Sequence, residues 1–66
     1  MDISKLQELA RDYKAVCPEL RYGQSLMNAL WELHPELYKQ ITATEHDCFY
    51  IDSVIPKFLT YLLDHE

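Results

Sequence analysis

Glycine occurs once in this 66-residue chain, at Gly23, and proline three times, at Pro18, Pro35 and Pro56. So little of either excludes a linker-like, collagen-like or low-complexity chain. Two cysteines, Cys17 and Cys48, are too few for a disulfide framework. No apolar run approaches the ~20 residues of a membrane-spanning helix. The opening residues, MDISKLQELA, read as an amphipathic helix and not as a secretory leader. These absences set the expectation of a cytoplasmic protein with two reduced, partly buried thiols. Basic residues are also scarce, six against eleven acids, for a net charge of −5. The imbalance falls in the second half: residues 1–33 hold five acids and four bases, residues 34–66 six and two. An acidic surface repels phosphate backbones, which disfavours nucleic acid as a partner; it serves solubility first and is compatible with a basic protein partner.

Catalytic signatures are missing as well. There is no G-x-S-x-G, no phosphate loop and no H-E-x-x-H. A chain this short rarely encloses a catalytic pocket, so no enzyme and no cofactor are expected. The run Glu45-His46-Asp47-Cys48, with Asp52 close behind, gathers metal-capable side chains. Consecutive residues seldom converge on one ion, and structural zinc sites use spaced pairs such as C-x₂-C. Histidines at 34, 46 and 65 and cysteines at 17 and 48 form no such pair, so no metal site is expected. Cys48 with His46 also admits a nucleophile-and-base reading, which spacing alone does not decide.

What the chain does have is apolar residues at helical period, 48% of its length, including eight aromatics. Ile3, Leu6, Ala10, Tyr13 and Cys17 recur at spacings of 3 and 4, with Leu9 and Val16 widening the stripe. This predicts a helix over 2–17, started by Asp2 and stopped by Pro18. A second helix is expected over 21–33, with Tyr22, Leu26, Ala29, Leu30 and Leu33 inward and Met27 and Trp31 at the side. Gly23 lies in its first turn, where a missing side chain allows another helix to come close. Arg21, Gln24, Ser25, Asn28 and Glu32 form its polar side, read as a solvated face. His34-Pro35 breaks and restarts the chain, since proline suits a first helical position. The short third helix should end near Thr42–Thr44. A fourth begins at Asp52 or Ser53, carries Pro56 in its first turn, and places Ile55, Phe58, Leu59 and Leu62 inward. Asp64-His65-Glu66 reads as a polar, frayed tail. The expected fold is all-α: one domain over 1–66, a compact bundle of about four short helices. Leu26, Leu30, Phe58 and Leu62 are its expected core.

Residues 44–52, TEHDCFYID, show no period. Phe49 is expected to plug the bundle end and Ile51 to pack on the fourth helix. Eight aromatics are too many for so small a core, and leftover rings gather where regular packing fails. The expected partner-binding residues are therefore Trp31, Asn28, Phe49 and Tyr50 as the contact, with Glu45, Asp47 and Asp52 as an acidic rim.

Two segments, RYGQSLMNALWELHPEL at 21–37 and DCFYID at 47–52, together resemble a group of short, uncharacterised bacterial and bacteriophage proteins. In that group an R-x-G-Q-x-x-x-N-A helix precedes a D-x-F-Y turn and a last apolar helix. The matching positions are Arg21, Gly23, Gln24, Asn28, Ala29, Asp47, Phe49 and Tyr50. Cys48 departs from the pattern, where proline is expected. The resemblance implies a helical fold and a bacterial or phage origin, and no activity. The expected function is a non-enzymatic accessory protein that binds another protein, such as an inhibitor or regulator of phage or plasmid type. The alternative is a nucleic-acid-linked regulator with a helix-turn-helix over 21–42.

Overall fold

The computed structural model describes residues 2–64. His65 and Glu66 of the expected tail lie outside them. Helix α1 runs Ile3–Val16, α2 Tyr22–Leu33, α3 Pro35–Ile41 and α4 Ile55–Asp64, the last preceded by a 3₁₀ turn over Asp52–Val54. There is no strand among the described residues. The radius of gyration is 10.6 Å, against about 11 Å for a folded chain of this length.

Several helix boundaries have a local chemical cause. The Asp2 carboxylate accepts a bond from the Lys5 amide and starts α1. Pro18 stops it, and Lys14 Nζ reaches over the connection to the Leu20 carbonyl at 2.9 Å. Arg21 is a poor cap for α2, because its side chain has no acceptor. Gln24 supplies the missing bond by turning its Oε1 back to the Arg21 amide at 3.1 Å. Pro35 opens α3 directly after His34. Helix α4 starts at Ile55 and not at Asp52 or Ser53, because residues 52–54 wind into the tighter turn first.

Helices α1 and α2 form an antiparallel hairpin: Asp2 and Lys5 at the start of α1 border the same hollow as Leu33 and His34 at the end of α2. Leu6 and Ala10 of α1, Leu26, Met27, Ala29 and Leu30 of α2, Ile41, Cys48, and Phe58 and Leu62 of α4 form one buried cluster. All four expected core residues lie in it. No buried side-chain nitrogen or oxygen among the described residues lacks a hydrogen bond.

Several side chains depart from expectation. Val16 is 88% exposed, because it lies about 80–120° around the helix from the buried Leu6 and Ala10, at the side of the seam. Cys17, at the helix end beside it, is exposed too. Ser25 is no part of a solvated face: it is fully buried. Its hydroxyl donates to the Tyr22 carbonyl at 2.7 Å, which removes the cost of burying it. Ile51 is 55% exposed and does not pack down onto α4.

Candidate docking loop

Residues 42–51 leave α3 and cross to the start of α2 without regular structure. Their backbone is fixed by side chains. Ala43 turns the chain with φ 63°, the left-handed region that costs a residue with a Cβ about 1–2 kcal/mol. The Asp47 carboxylate holds this turn. One of its oxygens accepts the Ala43 amide at 2.9 Å and the other the Phe49 amide at 2.9 Å. Thr44 Oγ1 donates to the Ile41 carbonyl and accepts the His46 amide. The amides of Thr44 and Asp47 bond back to the carbonyls of Ile41 and Thr44.

Two contacts then fasten the loop to α2. Arg21 Nη1 donates to the Tyr50 carbonyl at 2.9 Å. Two residues further, Gly23 is buried against the Cys48 backbone, and a Cβ on Gly23 would fall on the Cys48 carbonyl oxygen. The close approach expected at Gly23 is therefore real, but the visitor is loop backbone and not another helix. Cys48 is fully buried, and its thiol donates to the Gly23 carbonyl at 3.6 Å. Burial pushes this thiol up to about 12, and the nearby Asp47 and Asp52 charges add to the rise.

The loop displays what it does not bury. Tyr50 is 73% exposed and stands edge-to-face on the half-buried Phe49, ring centres 4.8 Å apart. Phe49 thus closes the bundle end only in part. Ile51 follows, and Asp52 opens the 3₁₀ turn, exposed and beside Gly23. Glu45 is exposed on the other arm of the loop. His46 turns away from Cys48, its ring 4.7 Å from Tyr61 of α4. Cys48 and His46 thus face different partners. Among the described residues no three His, Cys, Asp or Glu side chains gather as metal ligands would.

Trp31 and Asn28 sit elsewhere. Trp31 is 52% exposed and meets Tyr38 of α3, ring centres 5.2 Å apart. It lies ten residues along α2 from Arg21, roughly 15 Å of helix axis. Asn28 is half-buried between those positions. The structure thus groups Phe49, Tyr50 and Asp52 at the start of α2 and leaves Trp31 with α3. The tie from Arg21 to the loop is not legible in the sequence, since Arg21 and Tyr50 stand 29 positions apart.

Comparisons with protein-family models, with curated proteins and with solved structures return no match for this chain. No helix among the described residues is long and apolar enough to cross a membrane.

Proposed function

We propose that this chain is a non-enzymatic, cytoplasmic binding protein that docks a basic surface of another protein on the 45–52 loop. One observation carries the reading: Tyr50 is 73% exposed on a loop whose backbone is pinned by Asp47 and Arg21. A ring held out on a fixed backbone loses little entropy on binding, and tyrosine is a frequent anchor at interface centres. Ile51 extends the apolar contact. Asp52 stands exposed just beyond Ile51 and Glu45 on the other arm of the loop, toward α4, and both charges favour a basic partner. The same function accommodates an inhibitor or regulator of phage or plasmid type. Against a helix-turn-helix regulator stands the α2–α3 junction, where His34 alone separates the helices and that motif uses a turn of about three to four residues.

Affinity capture from a bacterial lysate with the wild-type chain and with the Tyr50→Ala, Ile51→Ala double variant tests the proposal. Both side chains are exposed, so the variant should stay within about 0.5 kcal/mol of wild-type stability. The expected result is a basic protein retained by the wild type, released by salt and lost with the variant. Identical proteins captured by both would refute the loop as the docking site.

A further inference from the structure

The hairpin carries a second apolar surface that the loop does not use. Leu9, Tyr13 and Val16 of α1 line an open groove with Glu32 of α2, and Asp12 stands at its edge. Leu9, Asp12, Tyr13 and Val16 fall at i, i+3, i+4 and i+7, one strip of a helix surface. Leu9 and Tyr13 are half-buried and Val16 is 88% exposed. The strip is therefore wider than α2 covers. The groove continues past Glu8 and Lys5 toward Leu33.

The charges around the groove are one-sided. Glu8, Asp12 and Glu32 face Lys5 alone. Glu32 is held in place by the Tyr13 hydroxyl, which donates to its Oε1 at 3.2 Å. An apolar floor between acids is the complement of a helix with one apolar face and lysines or arginines beside it. We infer that the α1–α2 groove is a docking site for a basic amphipathic helix of a partner protein. This inference stands on its own geometry and does not depend on the loop.

The test titrates the full, ¹⁵N-labelled chain with a synthetic helix of about four turns that carries leucine on one face and lysine on the others. Saturable amide shifts should centre on Leu9, Asp12, Tyr13, Val16 and Glu32. Raising the salt about tenfold should weaken binding. Val16→Lys should weaken it by about tenfold or more. That variant keeps its fold, because the position is exposed and a cation suits the last turn of a helix. Tyr50→Ala should leave this binding unchanged. Shifts centred on residues 49–52, equal affinity for a leucine–glutamate helix, or wild-type affinity in Val16→Lys would each overturn the inference. So would shifts at the groove that grow with protein concentration alone, which would mean that a second copy of this chain occupies it. Loss of lysate capture by the loop variant bears only on the loop, so the two readings fail separately.

Discussion

In the α1–α2 hairpin, position is set by apolar side chains at helical spacing. In the 42–51 loop it is set by hydrogen bonds from side chains to backbone. The hairpin buries Leu6, Ala10, Leu26, Met27, Ala29 and Leu30, whereas between Thr42 and Ile51 only Cys48 is fully buried. Hydrophobic burial is non-directional and tolerates small shifts. A carboxylate bonded to two amides tolerates few. A chain of this size can therefore hold an exposed tyrosine steady without a large core beneath it. The difference also separates what a mutation breaks: in the hairpin the whole fold, in the loop its shape.

The largest effect expected is on the hairpin. Leu30→Ala removes a fully buried side chain and should cost about 2–5 kcal/mol. Total stability for a chain of this length is roughly 3–10 kcal/mol, so a denaturant titration should show partial or complete unfolding. A cost below about 0.5 kcal/mol would place Leu30 outside the core. Next comes the junction between the two regions. Gly23→Ala in an ordinary helix position gains up to about 1 kcal/mol. Here the new Cβ meets the Cys48 carbonyl, so the sign should reverse to a loss of about 1–3 kcal/mol. A gain would show that the loop does not seat on α2. Comparable in size is Asp47→Ala, which frees the Ala43 and Phe49 amides and should cost about 1–3 kcal/mol. Tyr50 emission or amide shifts should move in that variant while those of Leu6 and Leu30 stay in place.

The helices were legible because their causes are local or periodic. Pro18 and Pro35 mark two boundaries, and the stripe through Leu26, Leu30, Phe58 and Leu62 gives the core. What failed lies at the edges of stripes. Val16 extends the apolar stripe but lies to the side of the buried Leu6 and Ala10, where α2 does not cover it. Ser25 reads as polar and hence outside, yet a bond to its own helix lets it go in. The loop was legible as irregular, not as built. Arg21 and Tyr50 stand 29 positions apart, and Gly23 and Cys48 stand 25 apart, and no spacing announces such pairs. Arg21 reaches the Tyr50 carbonyl and Gly23 lies against Cys48, so the start of α2 and the end of the loop form one junction. Trp31 and Tyr50 are alike as rings in the sequence, but the course of α2 parts them.

The smallest effects concern the thiols and the alkaline limb of stability. Exposed Cys17 should react with a thiol reagent in the native protein, and Cys48 only on unfolding. The Cys48 thiol is raised to about 12 by burial. The Tyr13 hydroxyl is raised by loss of water around it, then by its hydrogen bond to Glu32 and that carboxylate's charge. A raised pKa means that the folded chain holds the proton more tightly than the unfolded one. The resulting stability is complete below the unfolded values, near 9 for Cys48 and 10 for Tyr13, and is lost as pH rises through the folded ones. Stability should thus fall on raising pH above about 9, and less steeply in Tyr13→Phe. Equal slopes in the two proteins would remove Tyr13 from the account.

The central claim is that the loop is a fixed display and not a slack connection. Backbone ¹⁵N relaxation across residues 43–51 of the free protein tests it directly. Order parameters near 0.85, level with those of α1 and α2, are the predicted result. Values below about 0.6 at Phe49, Tyr50 and Ile51 would contradict it.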